Sequence, residues 1–93
     1  MDLKKYSNFQ KVNSLSMKKY KRPVFISTRK QKKYMIRDDN NKMIHFGQLG
    51  YEDYTKHNDE KRRERYLKRT ANIRGDWKEN KFSPNNLSRN LLW

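Results

Sequence analysis

The scarcity of apolar residues is the feature that most limits how this chain can fold. Only 32% of its 93 residues are hydrophobic, so the chain can form one domain but the core of that domain must be thin. Small domains with thin cores often rely on disulfides or on a structural metal. The chain has no cysteine and no dense cluster of metal-ligating residues. We therefore expect no metal and no cofactor, and we expect a larger partner to support the fold.

The charge of the chain predicts that this partner is acidic. Twenty-four Lys and Arg residues against ten Asp and Glu residues give a formal net charge of +14, which attracts polyanions. Residues 1–36 contain eleven basic residues and one acid, so most of the excess lies in the N-terminal part. No apolar run approaches the roughly 20 residues of a membrane span, and no hydrophobic signal segment follows Met1. We expect a protein that is neither membrane-spanning nor secreted.

Residues 1–22 are predicted to form a basic extended arm. Steps of three residues would spread apolar side chains around a helix instead of placing them in one stripe, whereas an extended threefold helix would align them. Such a segment either stays disordered in the free protein or orders against a partner, and the sequence leaves both alternatives open. The apolar residues with this spacing are Leu3, Tyr6, Phe9, Val12 and Leu15.

Residues 23–93 are predicted to form a small α+β docking module. Three β-type runs at 24–28, 33–36 and 43–46 indicate an antiparallel meander, and the Asp- and Asn-rich connection after Arg37 is typical of a hairpin turn. A basic helix is expected over about 60–72, capped by Asn58 or Asp59 and stopped by Gly75. Ser83-Pro84 has the form of a helix start and predicts a final helical turn.

The chain offers little for catalysis. Only His45 and His57 titrate near neutrality, and a thin-cored domain has little room for convergent catalytic groups. His45 lies in a predicted strand, and His57 precedes a helix start, where an imidazole commonly makes a local backbone contact. Gly47 and Gly50 fit a turn that needs positive φ angles. We expect no enzyme, no catalytic residues and no small-molecule substrate.

Two basic clusters are candidates for contact with nucleic acid or with an acidic protein. Lys and Arg neutralise phosphates, and neighbouring aromatic rings can stack on bases. A solvated surface would have the same composition, so the sequence does not decide between these partners. The candidate contacts are Lys18, Lys19, Lys21, Arg22, Arg29, Lys30, Lys32, Lys33, Arg62 and Arg63.

Apolar residues near the two ends of the chain are candidate anchors of a protein interface. Large aromatic side chains supply much of the binding energy at such interfaces. These residues could equally complete the small core by folding back onto the sheet. The candidate anchors are Tyr6, Phe9, Trp77, Leu91 and Trp93.

Several blocks of residues 33–93 occur in an order that resembles a known family. They are the turn Phe46-Gly47-Gln48-Leu49-Gly50, the segment from Asp53-Tyr54-Thr55 through His57 and Asp59 to Arg62, the pair Asp76-Trp77, and the ending Ser88-Arg89-Asn90-Leu91-Leu92-Trp93. This pattern resembles small basic uncharacterised proteins of nucleo-cytoplasmic large DNA viruses. Residues 1–32 carry no part of the resemblance.

The resemblance implies a place in a virus particle and supplies no catalytic residues. It predicts a minor capsid or cement component located in the virion, with capsid proteins as partners and the basic arm as a tether among them. A nucleic-acid-binding protein that helps condense or package the viral genome is the alternative, which the positive N-terminal part favours.

Overall fold

A computed structural model describes residues 3–75 and 77–93. Met1 and Asp2 of the predicted arm, and Asp76 of the Asp76-Trp77 block, lie outside the described residues. A short 3-10 helix, Leu3–Lys5, opens the described part of the chain. The further elements are α1 (Phe9–Tyr20), β1 (Phe25–Ile26), β2 (Lys32–Arg37), β3 (Met43–Gln48), α2 (Tyr54–His57), α3 (Glu60–Ala71) and α4 (Pro84–Leu91).

The three strands form one antiparallel sheet in the order β1-β2-β3, which confirms the predicted meander and the α+β class. Tyr34 of β2 pairs with Ile26 on one side and with Phe46 on the other. Because side chains alternate along a strand, Tyr34, Ile36 and Phe46 share one face, and all three are fully buried. Phe25, beside Met35, belongs to the opposite face and is 44% exposed.

The N-terminal segment is helical, so the prediction of an extended arm is wrong. The apolar residues spaced by three misled the prediction because Leu3 and Tyr6 precede the helix. Within α1 the buried positions are Val12, Ser16 and Tyr20, which are four residues apart and therefore share one face. The small Ser16 completes this stripe, and its hydroxyl donates to the carbonyl of Arg22 (2.7 Å).

The N-terminal segment also packs against the rest of the chain. The backbone N–H of Asp53 donates to the carbonyl of Tyr6 (3.0 Å), and the side chain of Asn13 accepts from the N–H of Val24 (3.0 Å). The Cα radius of gyration is 12.4 Å, and a compact chain of this length has about 12 Å. A 22-residue extended arm would give a larger radius, so residues 3–22 are part of the compact body.

Helices α3 and α4 begin where the sequence predicts, whereas the short helix α2 was not predicted. Asp59 caps α3 by accepting from the N–H groups of Lys61 and Arg62, and Ser83 caps α4 with Pro84 in its first turn. α3 ends at Ala71 with Asn72 as its C-cap, so Gly75 lies beyond the helix end and does not stop it.

A single hydrophobic cluster joins α1, the inner sheet face and α4. It consists of Val12, Tyr20, Val24, Tyr34, Ile36, Phe46, Phe82, Leu87, Leu91 and Leu92. Within the part of the chain that the structure describes, none of the helices has the length and apolar character needed to cross a membrane. The core is thin, as the composition predicts, and three of these ten residues lie in or after α4.

Candidate functional site

A cleft of about 790 Å³ lies between the β2–β3 hairpin, α3 and the C-terminal end of the chain. Its charged lining is almost entirely basic. The cleft-lining Lys and Arg residues are Lys32, Lys33, Arg62, Arg65 and Arg69, and among the described residues Glu52 is the single acid that lines it. Because a cleft of one sign focuses the electrostatic field, this is the strongest candidate for an anion-binding site.

One wall of the cleft is the basic face of α3. Arg62, Arg65 and Arg69 follow the helical repeat, so their side chains fall within about 60° around the helix axis. Glu60 and Glu64 lie on the other side of the helix, and neither lines the cleft. The spacing of acids and bases along α3 therefore places the two glutamates away from the cleft and leaves a basic stripe of three arginines that lines it.

The opposite wall is the open end of the hairpin. Lys32 pairs with Gln48 in the register of β2 and β3, and both residues line the cleft beside Gly47. Gly47 has φ +80°, and a Cβ atom there would lie 2.8 Å from Cδ1 of Leu92. Only glycine lets the strand approach the C-terminal residues this closely, so Gly47 sets the shape of this side of the cleft.

A buried ion pair between Lys33 and Asp53 fixes the hairpin wall of the cleft to the rest of the fold. Nζ of Lys33 lies 3.1 Å from Oδ2 of Asp53 and donates to the carbonyl of Tyr51 (2.6 Å). The Thr55 hydroxyl donates to the other carboxylate oxygen and lies 3.3 Å from the hydroxyl of Ser7. Burial lowers the pKa of Lys33, and the Asp53 charge opposes that effect. This network connects the N-terminal segment, β2 and the segment before α2.

Aromatic side chains form the floor of the cleft. The rings of Tyr66 and Trp93 stack with centroids 4.3 Å apart, and Nε of Arg63 donates to the carbonyl of Trp93 (2.6 Å). The His57 ring packs 5.1 Å from the Trp93 ring, and its Nδ1 accepts from the N–H of Asp59 (2.9 Å). Burial lowers the pKa of His57 and raises the pKa of Tyr66. These contacts hold the end of the chain against α3.

A second cleft, of about 580 Å³, lies between α1, α3 and α4. Its basic residues are Lys19, Arg63 and Arg89, and each donates to a backbone carbonyl at 2.6–2.8 Å. Because these donors already have acceptors within the fold, this cleft is a weaker candidate than the first.

The part of the chain that forms both basic walls matches a protein family of unknown function. A family model, described as a family of unknown function (DUF5754), matches residues 23–70, which is more than half of the chain. The chain belongs to the DUF5754 family. No curated protein and no solved structure matches it significantly. The DUF5754 match contains Lys32, Gln48 and the Arg62, Arg65 and Arg69 stripe, whereas α1 and α4 lie outside it.

The structure separates the basic residues that the sequence predicts as contacts. Lys32 and Arg62 line the basic cleft. Lys18, Lys19, Lys21, Arg29 and Lys30 are exposed outside it. Arg22 is directed into the fold, since it donates to the carbonyls of Tyr20 and Arg37 and pairs with Asp39 at 2.9 Å. The prediction of Lys33 as a contact is wrong, because Lys33 is buried and its ammonium group pairs with Asp53.

The predicted interface anchors also have different positions. Phe9 is 40% exposed, and Tyr6 is half-buried where the chain enters α1. Trp77 is half-buried, with Arg89 5.4 Å from its ring centroid. Trp93 packs on Tyr66 as part of the cleft floor. Leu91 is fully buried in the core, so its prediction as an anchor is wrong.

Arg69 and Tyr51 line the cleft but lie outside the basic clusters that the sequence predicts as contacts, whereas Arg65 belongs to the predicted basic cluster of residues 61–65. The signal for the arginines was present, because Arg62, Arg65 and Arg69 are three and four residues apart and share a helix face. Tyr51 had no such signal. Its position depends on the contact between its carbonyl and Lys33, which only the folded chain forms.

The two histidines lie apart and outside the basic cleft. Nδ1 of His45 lies 2.7 Å from the hydroxyl of Ser27, on the outer face of the sheet, and neighbouring Arg29 and Lys32 add to the effect of burial in lowering the pKa of His45. Among the residues that the structure describes, no three His, Asp or Glu side chains are placed to hold a metal ion.

Proposed function

We propose that this protein is a non-catalytic protein that binds nucleic acid through its basic cleft. The observation that carries the proposal is that Lys32, Arg65 and Arg69 line the cleft and form no ion pair with any described residue. Cations without an internal ion pair bind counterions, and a polyanion displaces these counterions when it binds. The net charge of +14 adds long-range attraction to the same partner.

Binding without catalysis is supported by the chemistry of the cleft lining. General acid–base catalysis needs a group that titrates near the working pH within hydrogen-bond reach of the substrate. His45 and His57 do not line the cleft, and Nδ1 of each already has a partner. The lining instead consists mainly of Lys and Arg side chains, amides, hydroxyls and aromatic rings, which are binding groups, and the carboxylate of Glu52 in it lies 3.9 Å from Arg62.

The proposal is tested by fluorescence anisotropy of the full chain with labelled single-stranded and duplex DNA over a series of salt concentrations. If about four phosphates are neutralised, the affinity for duplex DNA is expected to fall about 100-fold between roughly 50 and 200 mM salt. Unlabelled polyglutamate serves as the acidic-protein competitor. The proposal is contradicted if neither DNA binds at the lowest salt, or if polyglutamate displaces DNA as well as unlabelled DNA does at equal charge concentration.

A second candidate function is that of a structural component of a large DNA virus particle, with capsid proteins as partners. The resemblance motivates this candidate, and the edge strand β1 supports it because Phe25 and Ile26 are both exposed although they lie on opposite faces of the sheet. The tethering mechanism changes, since residues 9–20 are a packed helix and cannot act as an extended arm. Mass spectrometry of purified particles tests the candidate, and absence of the protein from them would rule it out.

A further inference from the structure

We infer that the basic cleft binds a single strand of nucleic acid, with Arg62, Arg65, Arg69 and Lys32 on the phosphates and Tyr51 stacked on a base. This inference rests on the proposed function and specifies both the form of the nucleic acid and the residues that contact it. Of the contacts that the sequence predicts, it retains Lys32 and Arg62 and excludes the N-terminal residues Lys18, Lys19 and Lys21.

The shape of the charged surface favours a single strand. Cations line the cleft from two walls, Lys32 on the hairpin and the arginine stripe on α3. A single strand is narrow and flexible enough to lie between two such walls, and grooves of this kind track its backbone. A duplex carries its phosphates on a convex cylinder and would meet the rims of the cleft instead of its lining.

The positions of the acidic residues also favour binding of the strand inside the cleft. Glu60 and Glu64 lie away from the cleft on α3, and Glu60 pairs with Arg63 at 3.7 Å. At the cleft, Glu52 approaches Arg62 only to 3.9 Å, and both side chains are more than 40% exposed. Such an exposed pair is weak and can open when a phosphate approaches.

Tyr51 supplies an aromatic surface at the edge of the cleft. It is 68% exposed, although burial of an aromatic ring is usually favourable. Its backbone is fixed, because Nζ of Lys33 donates to its carbonyl and is itself held by Asp53. An exposed ring on a fixed backbone beside a row of arginines is the arrangement in which a base can stack while its phosphates contact cations.

The test compares two double variants that each remove two positive charges. R65Q/R69Q changes the cleft, and K18Q/K21Q changes the exposed N-terminal cluster outside it. All four side chains are exposed, so both variants are expected to fold, and circular dichroism checks this. The probe is a fluorescein-labelled oligothymidine of about 12 nucleotides, which is within the site size of single-strand grooves, with a duplex of the same length for comparison.

We expect R65Q/R69Q to weaken oligothymidine binding at least tenfold and to lower the salt slope by about 1.4, or roughly 0.7 for each lost phosphate contact. K18Q/K21Q is expected to weaken it less than threefold. Y51A is expected to lose about fivefold or more in affinity, whereas Y51F, which keeps the ring, is expected to bind as the unchanged protein does.

The outcomes separate this inference from the proposed function. If both double variants weaken binding equally, the charge acts diffusely, and the cleft inference is overturned while nucleic-acid binding stands. Preferential binding of the duplex, or equal binding by Y51A and Y51F, also overturns it. If the unchanged protein binds neither oligothymidine nor duplex, the proposed function itself fails.

Discussion

Replacing Asp53 by asparagine is expected to lower the free energy of unfolding by about 3–5 kcal/mol. Asp53 is fully buried and Lys33 is only 3% exposed, so water compensates the ammonium group poorly when its partner loses the charge. Removing one partner of a buried ion pair leaves an uncompensated charge, and that accounts for a loss of this size. A domain of this length has a total stability of about 5–15 kcal/mol, so the loss would be a large fraction of it.

The measurement is urea unfolding followed by circular dichroism, with linear extrapolation to zero denaturant. Asp39 provides a matched control, because it pairs with Arg22 at 2.9 Å but its side chain is 69% exposed. We expect D39N to cost less than about 1 kcal/mol. The double variant K33M/D53N should lose clearly less than the sum of the two single variants, since it contains no unpaired charge.

Two results would refute this reasoning. One is a D53N variant whose stability is within about 1 kcal/mol of the unchanged protein, which would mean that water or another group compensates the Lys33 charge. The other is strict additivity in K33M/D53N, which would mean that the two side chains act independently although their atoms lie 3.1 Å apart.

Three further predictions concern the fold around the cleft. G47A should lower the free energy of unfolding by about 2–4 kcal/mol in urea. The φ of +80° at position 47 strains any residue with a Cβ atom, and this atom would contact Leu92. An unchanged unfolding midpoint would contradict this prediction. Burial raises the pKa of Tyr34 from 10.0 to about 12, so the unfolded chain loses this proton first as the pH rises. Stability should therefore be unaffected by this group below pH 10 and fall by up to about 3 kcal/mol between pH 10 and 12, and Y34F should reduce the fall; equal profiles for the two proteins would refute the assignment. S83A should cost about 1 kcal/mol in thermal unfolding by removing the α4 cap, whereas S14A, at an exposed position within α1, should leave the melting temperature nearly unchanged.

The local patterns of residues 23–93 were sufficient to predict the three strands and the helices α3 and α4, but not the short helix α2. The Asp- and Asn-rich turn specifies the hairpin, and Asn41 there adopts φ 65°, a left-handed angle that asparagine tolerates. The caps Asp59 and Ser83 mark helix starts through hydrogen bonds within three residues of sequence. Signals of this kind depend on near neighbours, so they can be interpreted without the tertiary structure.

The helix in the N-terminal segment could not be predicted from local sequence patterns. Val12, Ser16 and Tyr20 face the core, but a serine in the buried stripe hid the helical pattern. The hydroxyl of Tyr20 donates to the carbonyl of Lys81 (3.0 Å), and Lys19 donates to the carbonyl of Asn90 (2.8 Å). These partners are more than sixty residues away, so no local pattern could indicate that α1 belongs to the core.

Some properties of the candidate site also follow from the sequence alone, whereas others depend on the tertiary structure. The sequence alone determined the high positive charge, the basic character of α3 and the presence of the hairpin, because these depend on composition and on local periodicity. The tertiary structure decided which cations face one cleft, that Lys33 is buried and that Tyr51 is exposed beside the arginines. Burial and convergence arise from contacts between distant segments, and charge counted along a chain contains no information about such contacts.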